Sequence, residues 1–285
     1  VGVSPDDRPR LLVPLADRSG RPAVVAHRGS SSVAPQNTLA AFEAAWRAGA
    51  DAVELDVHLT ADRRVVVLHD ERVDATTDGT GAVADLPLDA VRSLDAGSWF
   101  SPAFAGQRVP TFEEVLGLLA TRPGTDLLVE LKGVWSPDDA RLVTKEVDAA
   151  GMAGRVVVQS FWPPTVAALR DAAPHLARGL LLALRPDSTD ELLEVCAGLG
   201  VAACNPERDL LGREPGLVEV LHGAGLAVHV WTADDAWSDL LDLGVDGIVT
   251  NRPDRLAGWL DARSVGRPRG RSGPGPRTAG TPLAG

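Results

Sequence analysis

Apolar runs that stop at charged or imidazole side chains alternate along this chain with segments whose apolar residues recur every three or four positions. Residues 23–28, Ala-Val-Val-Ala-His-Arg, are apolar until His27 and Arg28, the pattern of a strand buried on both faces. After them Leu39, Phe42 and Trp46 recur at helical spacing until Gly49, with Asn37 as the expected N-cap. The same alternation predicts strands over 52–58, 126–131, 155–159, 178–184, 201–204, 226–231 and 245–249. Between and after them it predicts helices over 111–120, 137–150, 163–173, 189–197, 215–223, 234–242 and 253–261.

Eight strand-helix units between residues 23 and 262 suit an α/β fold of the (β/α)8 TIM-barrel type, which typically takes about 250 residues. A doubly wound open sheet is the alternative, ranked lower because Arg28-Gly29-Ser30-Ser31 is not a glycine-rich phosphate fingerprint. The connection from the second strand to the helix at 111 is anomalous, with about fifty residues rich in Gly, Pro, Asp and Ser. It reads as a strand hairpin followed by a small insertion, about 70–110, over the barrel mouth. Residues 1–22 are expected to be an N-terminal extension, and the Arg, Gly and Pro-rich tail 263–285 to be disordered.

Composition narrows the chemistry. A net charge of -11 argues against a nucleic-acid partner, which needs a basic face. No stretch approaches the roughly 18 apolar residues of a membrane span, so no integral membrane segment is expected. The expected location is the cytoplasm, with a leader removed upstream of Val1 left open. Cys196 and Cys204 have no metal-type spacing and read as small core side chains; the absence of tyrosine excludes tyrosine-based chemistry.

The barrel reading turns strand ends into candidates, because catalytic groups of such barrels sit where the strands' carboxyl ends meet the loops. Glu54 and Asp56 are two apart on one strand and therefore share a face. Glu130 ends the neighbouring strand. Three converging carboxylates without cysteine form a hard oxygen site suited to Mg²⁺ or Ca²⁺; the rival reading pairs them with helix-side arginines. If the hairpin turns near Asp62, opposed residues sum to about 124 and His69 lies beside Leu55. His27 and His69 then flank one site as a proton-exchanging pair. Arg28 and Lys132 supply positive charge for an oxyanion. His58 shares the carboxylates' face as a supporting group or a packing residue, and Trp231 walls a small polyol or packs in the core. His175 and His222 read as structural or solvent-facing.

Together these stretches resemble the glycerophosphodiester phosphodiesterase family. The matching elements are AHRG at 26–29, PQNTLAAFEAA at 35–45, GADAVELDVHLTADRRVVVLHDERVDATTDGTG at 49–81 and VPTFEEVL at 109–116. LLVELK at 127–132, QSF at 159–161, VWT at 230–232 and GVDGIVTNRPD at 244–254 follow in the same order. The resemblance implies a barrel with an insertion after its second strand and a divalent metal on Glu54, Asp56 and Glu130. It also implies His27 and His69 as acid and base, with Arg28 and Lys132 near the phosphate. Gln36 departs from the family, which commonly carries glutamate there. The implied reaction is hydrolysis of a small-molecule glycerophosphodiester to glycerol 3-phosphate and an alcohol. A lysophospholipase D or sphingomyelinase D-like phosphodiesterase is the alternative, and a non-catalytic phosphate-ester-binding barrel ranks behind both.

Overall fold

A computed structural model describes residues 9–18 and 20–265. Its strands are β1 (Ala23–His27), β2 (Ala52–Leu59), β3 (Val65–Val67), β4 (Asp126–Leu131), β5 (Val156–Ser160), β6 (Ala177–Leu182), β7 (Ala203–Pro206), β8 (His229–Val230) and β9 (Gly247–Thr250). Eight run parallel in the order β7-β6-β5-β4-β2-β1-β9-β8. Parallel bridges Ala203–Ala227 and Glu207–Trp231 join the two ends, so the sheet closes on itself. The helices are α1 (Leu39–Arg47), α2 (Leu88–Ser93), α3 (Phe112–Ala120), α4 (Pro137–Ala149), α5 (Pro163–Ala172), α6 (Thr189–Leu199), α7 (Arg208–Arg213), α8 (Leu217–Gly223), α9 (Trp237–Leu243) and α10 (Pro253–Val265). The fold is the (β/α)8 barrel that the strand-helix alternation predicts. Among the described residues no helix is long and apolar enough to cross a membrane.

Strand period two sorts the side chains. Val24 and Ala26, Val53, Leu55 and Val57, and Leu127, Val129 and Leu131 face outward into the core shared with the helices, where Cys196 and Cys204 also pack. The alternate residues face the barrel axis. Near the strands' amino ends these are Ala23, Val25, Ala52, Leu128 and Val157; further along the axis they become His27, Glu54, Asp56 and Glu130.

β3 pairs antiparallel with β2 through Val57–Val67, His58–Val66 and Leu59–Val65, the register whose partners sum to 124. Val65 and Val67 complete the main core. Val66 and Leu68 point the other way and build a separate small core with Val73, Val83, Val91, Ala96 and Val109. The long connection therefore folds around its own apolar centre, as its length demands.

Three local expectations change. Thr38, not Asn37, caps α1: Thr38 Oγ1 accepts from the Ala41 N–H at 3.3 Å. Asn37 instead adopts φ 55° and sends its amide to Asp56, a tertiary bond that outweighs local capping preference. α7 precedes α8 in the connection where a single helix was expected. α10 runs on to Val265, into the segment expected to be disordered, and the remainder of that tail lies outside the described residues.

The amino-terminal segment is also more than an extension. Its 3-10 turns Arg10–Leu12 and Leu15–Arg18 carry Leu11, 0% exposed, into the apolar end of the barrel interior. The Leu11 N–H donates to Asp126 at 3.3 Å, and the Leu15 N–H donates to Asp246 at 3.0 Å. Burial pushes the Asp126 carboxyl up to about 6, against the Leu11 N–H, which favours the carboxylate. Buried His229 meets this plug from inside, with ring nitrogens 2.9 Å from the Leu11 carbonyl and 3.0 Å from Asn205 Oδ1.

Leu11→Ala would empty a packed site at the barrel floor. The expected loss is about 2–5 kcal/mol of stability, read as a lower urea midpoint with an unchanged slope; an unshifted midpoint would show that the floor does not depend on this residue.

Candidate active site

The first strand ends in a turn that aims backbone and side chain at the same group. Arg28 and Gly29 both take positive φ, 57° and 82°, and the Arg28 N–H donates to Glu54 Oε2 at 3.0 Å. A Cβ on Gly29 would lie 2.6 Å from the Ala41 backbone carbon, so only glycine fits between this turn and α1. The Arg28 side chain then reaches two partners. Its Nε lies 3.4 Å from Asp56 Oδ2, and its Nη1 donates to Gln36 Oε1 at 2.9 Å. Gln36 is neutral, so it holds the guanidinium in place without pairing its charge, as a glutamate would.

Glu54, Asp56 and Glu130 converge as strand spacing predicts: one oxygen from each lies within 4.8 Å of the others, and all three residues are buried. β2 and β4 pair so that Asp56 stands directly beside Glu130. Lys132 Nζ sits 2.8 Å from Glu130 Oε1 and 3.5 Å from Asp56 Oδ1. The Asn37 amide donates to Asp56 Oδ2 at 2.9 Å.

The charges respond unevenly. Burial, then the Asp56 and Glu130 charges, push the Glu54 carboxyl well above its ordinary range. Burial and Asp56 push Glu130 up to about 7 despite Lys132. Burial opposes ionisation of Asp56 as well, but Arg28, Lys132, His69 and Asn37 together hold it below the usual carboxylate range. Two cations thus face three desolvated carboxylates, and the all-oxygen donor set fits a hard divalent cation.

Both histidines reach this cavity with one ring nitrogen already engaged. His27 Nδ1 lies 2.7 Å from Asn251 Oδ1. The Asn251 amide nitrogen donates to Asp234 Oδ2 at 2.8 Å, which turns the amide oxygen toward His27. His27 Nδ1 is therefore the donor and Nε2 is left for chemistry. Burial first and the Arg28 charge second push His27 down to about 4. His69 Nδ1 lies 2.6 Å from Asp70 Oδ1. Its pKa is also lowered, by burial first and by Arg28 and Lys132, while Asp56 and Asp70 act in the opposite direction. His58 Nε2 is 3.0 Å from the His69 carbonyl and steadies that loop.

The cavity, about 150 Å³, is lined by His27, Arg28, Glu54, His69, Glu130 and Lys132 on one side and by Phe161, Leu181 and Trp231 on the other. Trp231 donates from Nε1 to the Asn205 carbonyl at 2.7 Å and meets Phe161 edge-to-face at 5.2 Å. Of the site residues expected from sequence all but Asp56 line this cavity, and Asp56 lies buried behind it against Glu54, Glu130 and Lys132. His175 pairs with Asp148 and His222 with Asp246, away from the cavity. A wider groove of about 1130 Å³, bordered by Pro9, Leu15, His222 and Asp246, lies at the opposite end of the barrel and holds none of the three carboxylates. Asp70, Asp234, Asn251, Asn37 and Phe161 are the contributors that sequence reasoning missed. All but Asp234 lie in the quoted motifs, but only Asp70, adjacent to His69, sits beside a residue given a role there.

Comparison with known proteins agrees with this geometry. Residues 27–255 match the profile of the glycerophosphoryl diester phosphodiesterase family. The chain is 38% identical over 240 residues to a glycerophosphodiester phosphodiesterase of Caldanaerobacter subterraneus subsp. tengcongensis, covering 82% of this chain and 95% of that protein. It is similar in structure to a glycerophosphodiester phosphodiesterase from Agrobacterium tumefaciens, with TM-score 0.72, 32% identity and coverage of 83% and 99% of the two chains. An Oleispira antarctica phosphodiesterase in complex with the product sn-glycerol-3-phosphate aligns with TM-score 0.78 and 28% identity, covering 86% of this chain and 98% of that one.

A carboxyl pushed up to about 7, as at Glu130, holds a proton that a bound cation must displace. Affinity for a divalent cation is therefore expected to fall on going from pH 8 to pH 6, by up to about tenfold per pH unit for each proton displaced; calorimetric titration measures this. The metal-free cluster loses its stability contribution as pH rises through about 7, because the folded-state pKa is the raised one. The rise in Tm on adding cation should be larger at pH 8 than at pH 6, and equal rises would contradict the coupling.

Proposed function

Because this chain belongs to the glycerophosphoryl diester phosphodiesterase family and is a glycerophosphodiester phosphodiesterase, we propose that it releases glycerol 3-phosphate and an alcohol through His27 and His69. The observation that carries this reading is the pair of imidazoles, each with Nδ1 engaged, opening on the cavity that Glu54 and Glu130 line and behind which Asp56 completes the carboxylate cluster. A divalent cation, Mg²⁺ or Ca²⁺, on Glu54, Asp56 and Glu130 would supply Lewis-acid charge to a phosphate oxygen.

The chain's own residues divide the remaining work. Arg28 and Lys132 bind the phosphoryl oxygens and offset charge as the pentacovalent state forms. His27, neutral at pH 7 and donating to a neutral amide, takes the proton of the nucleophile at Nε2. That nucleophile is water or the neighbouring hydroxyl of the substrate's glycerol. His69, whose imidazolium Asp56 and Asp70 favour against the burial that lowers its pKa, gives its Nε2 proton from that charged form to the departing alkoxide, which is a poor leaving group without it. Trp231 and Phe161 wall the side of the cavity away from the carboxylates.

Choline release from glycerophosphocholine with added Mg²⁺ or Ca²⁺ tests the scheme. His27→Ala and His69→Ala should each lower kcat by about 10²–10⁴-fold, and Glu54→Ala should abolish the response to cation. Parental rates in all three would remove the site from the reaction. Asp70→Asn removes the charge that favours protonated His69, so the alkaline limb of the rate profile should move to lower pH.

A further inference from the structure

Gln159 brings to the cavity a buried amide that the reaction above leaves without a task. It is 2% exposed, stands on β5 beside Glu130 of β4, and lines the cavity. The orientation of its amide follows from the donors beneath it. The His229 backbone N–H donates to Asn205 Oδ1 at 3.1 Å, which fixes that oxygen as an acceptor. Asn205 Nδ2 is therefore the other end of that amide, and it donates to Gln159 Oε1 at 2.8 Å. The pair closes over Gly179 of β6, where a Cβ would lie 3.2 Å from Asn205 Nδ2 and 3.4 Å from Gln159 Cβ. What remains is Gln159 Nε2. It has no partner among the described residues and is not sealed from solvent, so it opens on the cavity.

A desolvated amide donor is costly to leave unpaired, so the molecule that fills the cavity should present an acceptor to it. Charge decides which acceptor. Arg28 and Lys132 serve the phosphoryl oxygens, whereas a neutral amide beside the wall of Phe161, Leu181 and Trp231 suits the neutral oxygen of a polyol. The hydroxyl next to the phosphoester stays close to phosphorus and to the His27 side, on β1. The terminal hydroxyl is one carbon further out and can reach β5, which lies three strands around the barrel from β1. We propose that Gln159 Nε2 donates to the terminal hydroxyl of the substrate's glycerol, so that the enzyme selects glycerol over an alcohol lacking that group. The inference rests on the reaction proposed above.

The test compares glycerophosphocholine with the 1-phosphocholine ester of propane-1,2-diol, which keeps the neighbouring hydroxyl and lacks the terminal one, reading choline release from both. The parent's kcat/KM should be about 10–100-fold higher for glycerophosphocholine, because the poorer substrate leaves a buried donor unpaired. In Gln159→Met, which keeps the length of the side chain without its amide, that ratio should collapse to within about threefold. A crystal structure of the parent with sn-glycerol 3-phosphate should place the terminal hydroxyl oxygen within about 3.2 Å of Gln159 Nε2, a measurement that stands whether or not the variant folds. The proposal is overturned if the parent does not discriminate, or if the variant slows both substrates equally and so keeps the ratio. It is also overturned if the bound product leaves the amide unpaired or pairs it with a phosphate oxygen. Choline release from neither compound by the parent would instead defeat the reaction on which the inference rests, and the bound-product structure would then decide the role of Gln159 alone.

Discussion

The burial of three carboxylates within 4.8 Å of one another is the constraint to which the rest of this site answers. Each desolvated charge costs several kcal/mol unless its surroundings compensate, and strand geometry prevents Glu54 and Asp56 from turning away from one face. The neighbours read as responses: Arg28 contributes both its backbone N–H and its guanidinium, Lys132 bridges Glu130 and Asp56, and Asn37 gives up a capping role to donate to Asp56. These partners stabilise Asp56 well and the other two incompletely, since Glu54 and Glu130 remain pushed upward. A site left short of positive charge in this way is destabilised on its own and well suited to a divalent cation, the exchange of stability for function expected where binding must be strong.

Compensation for that instability comes from the other end of the barrel. There the interior is apolar, closed by Leu11, and the acidic groups are spent on backbone donors: Asp51 accepts from the Val24 N–H at 2.8 Å, and Asp246 from the Val228 N–H at 2.9 Å. The same residue types therefore play opposite parts at the two rims. Carboxylates at the amino ends of the strands are satisfied by fixed N–H groups and tie the floor together, while those at the carboxyl ends are crowded against one another. This division follows the general separation of stability and activity in barrels of this kind.

Much of this was legible because it depends on short-range periodicity. The period-two spacing of Glu54 and Asp56 and the hairpin sum that brings His69 back to β2 are arithmetic on neighbouring residues, and Val57–Val67 pairing fulfils that sum. What escaped depends on closure. Asn251 orients His27 across 224 positions, and no local pattern distinguishes it from any other residue at a strand end. Leu11 and His229 meet across 218 positions, so the first segment reads as an extension until the barrel is formed. Asn37 was misread for a different reason: its local capping preference is real, but a buried carboxylate offers it a stronger partner.

Closure also explains how the two halves of the chain share the reaction. Residues 27 to 132 carry the imidazoles, carboxylates and cations, whereas residues 159 to 251 supply Phe161, Leu181, Trp231 and the Asn251 that fixes His27. The halves meet where β1 pairs with β9, aligning Ala26 beside Thr250, immediately before His27 and Asn251. Asp234 fastens that seam by accepting from the Thr250 hydroxyl, the Asn251 backbone and the Asn251 amide. The charge-bearing half is thus complete in composition but not in geometry, because the protonation pattern of His27 is imposed by the last strand to join. The second half supplies the apolar wall that faces the charged groups, so its loops can vary without disturbing the carboxylates that the first half holds in place.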